Sequence, residues 1–317
     1  MAITWTERDF GLEFNVLVAV AHNGTDLWAM AGSYGTLATS PDGITWTSRD
    51  IGFDSSNVGD LAHNGSNLWV VVGSSGKLAT SPDGITWTQR VSGLAPFTAL
   101  SGVAHNGTDL WVAVGEQGYT TTSPDGITWT TGHTGIFSDL YTVAHNGTDL
   151  WVAAGTSGKL LTSPDGITWT ERYPDFGFSL INTVAHNGTD LWVAAGANGK
   201  LATSPDGITW TQRDSPFGSA DEIYSVAHNG TDLWVAGGNN ASGCLATSPD
   251  GITWTSSDSG LTVFDTVDCV AHNGTDLWVA GGWTGLSLVL TGSEEAEEPP
   301  EVICFWVIET PDKLVCT

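Results

Sequence analysis

Positive charge is scarce in this chain. Nine Lys and Arg stand against 35 Asp and Glu in 317 residues, a formal charge of −26. Phosphate backbones are held by Lys and Arg, so a nucleic-acid partner is not expected. Long apolar runs are also missing: none approaches the ~20 residues that a membrane-spanning helix needs, so no membrane insertion is expected. Met1 leads directly into a β-prone stretch, without the basic start and apolar core of a secretory signal. Apolar residues at helical spacing do not occur in any extended stretch, which excludes a helical fold. Cysteine is limited to four late positions, Cys244, Cys269, Cys304 and Cys316. Four cysteines allow three pairings that sequence alone leaves open, and in a reducing compartment all would remain thiols.

Repetition fills the rest. The motif SPDGITWT occurs six times, with its tryptophan at Trp46, Trp87, Trp129, Trp169, Trp210 and Trp254, and a shortened copy surrounds Trp5. A second motif, AHNG, occurs seven times, at His22, His63, His105, His145, His186, His228 and His272, spaced by 40 to 44 residues. A fixed period of this length marks a repeat architecture. Each unit divides into four β segments. In one unit these are 140–145 before Asn146-Gly147, 149–154 before a Gly-containing turn, 159–163 before Pro164-Asp165-Gly166, and 167–170. Asn-Gly and Pro-Asp-Gly are turn sequences with a mechanism, and β-branched and aromatic residues lie between them. Four strands per ~41 residues is the size of a propeller blade.

The expected fold is therefore all-β, a seven-bladed β-propeller with four-stranded blades. After the last AHNG motif the chain turns acidic where another SPDGITWT is due, so residues 2–8 are expected to supply the missing outer strand. Such an exchange closes the ring and removes an exposed edge. The expected domains are the propeller at 1–292, an acidic Pro-containing linker at 293–301, and a docking tail at 302–317 that forms a β-hairpin. An isolated hairpin is marginal in water, so the tail should dock through Ile303, Phe305, Trp306, Val307 and Leu314. Its partner would be a virion shell protein or a neighbouring copy, with docking in cis onto its own ring as the alternative.

The sequence Ser-Pro-Asp-Gly-Ile-Thr-Trp resembles the Asp-box of bacterial neuraminidase (sialidase) repeats, shortened by one residue between Asp and Gly. The resemblance covers residues 1–292 and extends to propellers of phage and marine bacterial surface proteins. It implies a structural turn between the third and fourth strands, away from any substrate. A sialidase also needs arginines that converge on a carboxylate. Here Arg8, Arg49, Arg90, Arg172 and Arg213 all follow an ITWT segment and so belong to the repeat. No enzymatic activity, cofactor or bound metal is expected.

Recurring residues are expected to build the repeat. The seven AHNG histidines should bond the turn locally rather than converge on a metal. One Asp per turn supplies too few oxygens for calcium and should instead accept backbone N–H bonds. The fourteen repeat tryptophans should be core. Variation should mark function, and it falls in the loops 51–57, 91–100, 131–140, 173–181, 214–223 and 257–266, which share one face. A Phe recurs there (Phe10, Phe53, Phe97, Phe137, Phe176, Phe217, Phe264) and is expected to plug each loop onto the ring. His133 is expected to be an ordinary loop residue. The candidate ligand face is Tyr173, Asp175, Asp221, Glu222 and Trp283, with Trp283 placed in an inter-strand loop as a platform for a glycan. The expected function is a non-enzymatic decoration, tail or adhesin-type module on a virion or other extracellular surface. The alternatives are a free lectin-like glycan-binding propeller and an assembly chaperone resembling the photosystem II assembly propellers.

Overall fold

The computed structural model describes residues 3–11, 15–239, 244–257, 260, 265–285, 287–294, 304–306 and 314–316. Within these, the chain forms seven four-stranded antiparallel sheets arranged as a ring, together with one separate two-stranded sheet. The first blade holds Leu17–His22, Trp28–Gly32, Leu37–Ser40 and Thr47–Ser48, and each later blade repeats that order. First strands of successive blades pack side by side around the axis.

The ring closes between the two ends. Ile3–Arg8 pairs with Ser287–Glu294 in the last blade, from Ile3 opposite Glu294 to Arg8 opposite Val289. Ile3 is buried and Trp5 half-buried against Leu288, Leu290 and Trp278. The separate sheet is the expected hairpin: Cys304–Trp306 pairs with Leu314–Cys316, with Cys304 opposite Cys316. Ile303 and Val307 lie outside the described residues.

Two turns set the repeat. In the first, Asn23 Oδ1 accepts the N–H groups of Thr25, Asp26 and Leu27 at 2.9–3.0 Å. Three donors on one oxygen hold a five-residue turn, so His22 pairs with Trp28. The Asn-Gly signal is thus correct as a turn, but the second strand starts two residues later than expected. In the second turn, Asp42 Oδ1 accepts the N–H groups of Ile44 and Thr45 while Ser40 donates its hydroxyl to the same carboxylate. This capture corrects the fourth-strand boundary. Ile44-Thr45-Trp46 has β propensity, but two of its N–H groups are taken by Asp42, and the strand begins only at Thr47. Gly43 adopts φ 72°, and a Cβ there would lie 3.0 Å from Val279, so the position needs glycine.

Packing lies between blades. In the fifth blade Trp192 and Ala194 face Val152, Ala154 and Leu160 of the fourth, while Val193 and Ala195 face the sixth. The period of two along the strand thus divides one buried segment between two cores. All seven second-strand tryptophans are no more than 1% exposed. The SPDGITWT tryptophans lie further out. Trp129 and Trp254 are buried and Trp46, Trp87, Trp169 and Trp210 half-buried, each donating Nε1–H to the turn glycine's carbonyl except Trp169. Cys244 and Cys269 are buried as thiols, and Cys244 Sγ donates to the Asp265 carbonyl at 3.1 Å.

Candidate functional site

One face of the ring carries the AHNG and SPDG turns. Gly24 N–H donates to His22 Nδ1 at 3.0 Å, and the same bond recurs at the other six motifs. Each imidazole also lies 4.6–4.7 Å from the tryptophan opposite it. Burial lowers the pKa of six of these histidines, His63 to about 4. An accepting Nδ1 requires the neutral ring, in agreement with that shift. Asp42 is drawn down to about 2 by the N–H groups of Thr45 and Ile44. These histidines and aspartates serve their turns. Among the described residues no group of three or more His, Cys, Asp or Glu is placed to hold a metal ion. Shallow grooves separate the blades here, of about 400 Å³ in the groove lined by His63 and Ile85.

The opposite face carries the variable loops. Phe10, Phe53, Phe176 and Phe217 plug their loops at 1–6% exposure. Phe97 and Phe137 do not, and both are 85% exposed. In those two loops Leu94 and Ile136 pack on the ring instead, leaving the phenylalanine outside. Phe264 lies outside the described residues. Phe97 also holds φ 84°, a genuine outlier for a bulky side chain. In the next loop Phe176 is the plug and Phe178 is 93% exposed.

His133 is not an ordinary loop residue. It ends the strand Thr130–His133, with its ring 5.0 Å from Tyr119 and 5.5 Å from Phe137. Its Nδ1 accepts the Gly135 N–H at 2.9 Å, which fixes the ring between its neighbours.

The expected ligand-face residues are not brought into one cluster. Tyr173 is 81% exposed beside Asp175, whose φ is 61° and whose carbonyl accepts Gln212 Nε2–H at 3.0 Å. Asp221 caps its own loop by accepting the Gly218 N–H at 2.7 Å. Glu222 opens a first strand at the channel mouth. Trp283 is half-buried as the last residue of the strand Leu277–Trp283, paired with Thr266 and Ser287, so its placement in a loop is corrected.

The channel mouth has a second variable feature, absent from the expected sites. Every first strand has a register shift at its second or third residue. The residue at that shift differs along the ring: Val18, Gly59, Ser101, Tyr141, Asn182, Tyr224 and Asp268. Tyr is the only type used twice in an otherwise near-identical repeat. Aligning the repeats against each other exposes this column. The residue after it ties blades together: Asp60 Oδ2 accepts Val103 N–H at 2.8 Å, and Ser225 Oγ accepts Val270 N–H at 3.1 Å. Burial pushes Asp60 up to about 7 against two N–H donors, and Asp268 up to about 6. Burial, Glu222 and Asp268 together push Tyr224 up to about 12. The mouth is electronegative.

Among the described residues, basic side chains do not offset it. The five arginines each donate Nε–H to a third-strand threonine at 2.8–3.0 Å and stay on the outer strands, so they form no converging cluster.

The model of the DUF6242 beta propeller domain matches residues 16–139. No curated protein matches the sequence. The solved structure of YCF48 from Cyanidioschyzon merolae is similar, with a TM-score of 0.67 at 16% identity over 90% of this chain and 98% of that one. YCF48 bound to D1 peptide is similar with a TM-score of 0.72 at 15% identity, over 95% and 98% of the two chains. A catalytically inactive virginiamycin B lyase from Staphylococcus aureus with quinupristin gives 0.78 at 8% identity, over 91% and 99%. At these identities the likeness is one of fold.

Proposed function

We propose that this propeller is a non-enzymatic binding module displayed on a virion or cell surface, of the decoration, tail or adhesin type. The observation that carries this reading is what the two faces expose: the same isoleucine in every SPDGITWT turn on one, and side chains that differ from loop to loop on the other. On one, polar groups are taken up by their own turns. On the other, phenylalanines that the same scaffold can bury stand in solvent. Monomers rarely leave contiguous apolar surface without a partner. Within this reading the tail at 302–317 is the anchor to a shell protein or neighbouring copy, and the loop face takes the second ligand. The D1 peptide on YCF48 supports protein binding by a ring of this shape. The SPDGITWT turn is read as a shortened Asp-box, supported by the bonds at Asp42.

Co-sedimentation with the native surface tests the proposal. The full chain should attach, and the ring truncated after Glu294 should remain folded by circular dichroism but lose attachment. Equal attachment by the truncated ring would move the anchor onto the ring. Turnover of a fluorogenic sialoside or of quinupristin, abolished by one substitution, would overturn the non-enzymatic reading.

A further inference from the structure

The aromatic side chains released from the loops lie along one arc. Phe97 sits between the second and third blades, Phe137 between the third and fourth, and Phe178 between the fourth and fifth. Tyr119 and His133 stand beside Phe137, and Tyr173 precedes Phe178 in the same loop. Phe97, Phe137, Tyr173 and Phe178 are 81–93% exposed and each offers on the order of 150–200 Å². With the smaller exposed parts of Tyr119 and His133 they approach the ~800 Å² that one partner contributes to a standard interface.

We propose that this arc seats a basic polypeptide segment with apolar anchors, taken up by Phe97, Tyr119, His133, Phe137, Tyr173 and Phe178. The inference rests on the loop face being the binding face, as the proposed function has it, and names its occupant. Charge selects that occupant. Lys77 pairs with Asp54, Lys159 with Glu171, and Lys200 donates to the Phe176 carbonyl. Around the arc stand Glu116, Asp139 and Asp175, and beyond them the electronegative channel mouth with Glu222 and Asp268. Such a surface attracts cations over a distance, and exposed Tyr and Phe rings add cation–π contacts with Lys and Arg. A second copy of this chain brings the same −26 and is disfavoured as the occupant of this acidic arc. Strain points the same way: Phe97 keeps a left-handed backbone at φ 84° while its side chain meets no core.

The test uses the full chain and three fluorescein-labelled peptides of one length. The first has lysines interspersed with leucine and phenylalanine, the second Glu for each Lys, and the third Ser for each apolar residue. The first should bind, with affinity falling at least tenfold between low and high salt and at least tenfold in Phe97→Ser/Phe137→Ser. The other two should bind at least tenfold more weakly. Both phenylalanines are exposed, so the variant should keep its circular dichroism, and a photo-crosslinking version of the first peptide should label 91–98 and 133–137. Equal binding of all three peptides, or an affinity indifferent to the double variant, overturns the proposal. So does a neutral glycan that binds and is lost in that variant. If the chain attaches to its native surface yet ignores the basic peptide, the occupant is wrong and the binding-module reading stands. If the peptide binds as expected and no surface attachment exists, the seat stands and the display reading falls.

Discussion

Lowering the pH from 7 to 5 should loosen this ring through its histidines, and replacing two buried aspartates that act the other way should lay that loss bare. Six AHNG imidazoles have pKa values below that of a free histidine, through burial first and neighbouring imidazoles in several cases. The unfolded chain takes up protons near 6.5 and the folded chain only lower, to about 4 at His63. Stability is therefore fully present above ~6.5 and is lost as pH falls towards the folded values. Protonation also ends the bond from the glycine N–H to Nδ1, 3.1 Å long at His63. At His63 the fall from 6.5 to about 4 corresponds to about 2 kcal/mol between pH 7 and 5, or about 1 kcal/mol once screening of the half-solvated ring is discounted, and the other five histidines add to it in the same direction. Asp60 and Asp268 act oppositely. Their folded pKa values are raised to about 7 and about 6, so acid favours the fold over the window from the unfolded value upward. Between pH 7 and 5 these two buried carboxyls offset about 3 kcal/mol, on the order of the histidine loss itself, and Asp60→Asn/Asp268→Asn removes that offset. In that double variant the uncompensated histidine loss should lower Tm by about 2–6 °C from pH 7 to 5. Calorimetry at constant ionic strength measures it, and NMR titration of the imidazole carbons assigns it. A Tm of the double variant that is flat or rising from pH 7 to 5, or a His63 that titrates like a free histidine, would refute the reasoning.

Other outcomes follow from single contacts. Ile3→Ala with Trp5→Ala should remove about 4–6 kcal/mol and about 10 °C of Tm, because the outer strand of the closing blade loses its buried anchors; an unchanged melt would contradict ring closure by that strand. Phe97→Gly should be neutral or stabilising by up to about 1 kcal/mol in chemical denaturation, since relief of φ 84° offsets the flexibility that glycine adds to the unfolded chain. Asp42→Ala should cost about 1–3 kcal/mol by stranding the N–H groups of Ile44 and Thr45, and Asn should restore part of it.

Much of this molecule is written in its turns. Asn23 and Asp42 do by side-chain bonding what their sequence contexts promise, and repetition of those contexts gives blade count, strand count and closure without any coordinates. Propensity failed where a local bond competed with it. Ile44-Thr45-Trp46 reads as strand, but two of its N–H groups bond to Asp42, which no propensity scale weighs. The ligand face was harder, for a different reason. Phe53 and Phe137 are one residue type at comparable places in comparable loops, yet one is 1% and the other 85% exposed. What decides between them is whether another apolar side chain, such as Ile136, reaches the socket first, and that depends on loop path rather than composition. Asp221 shows the reverse case, a residue that looked idiosyncratic and proves to cap its own turn. The column of Val18, Gly59, Ser101, Tyr141, Asn182, Tyr224 and Asp268 was legible throughout, since it is simply where near-identical repeats disagree. The repeats keep their bulge and vary what stands on it, so the strand geometry is held constant while the chemistry of the channel mouth changes from blade to blade. A scaffold with that property can change ligands without changing its core, and the arc of released aromatics on the same face uses the same freedom in its loops.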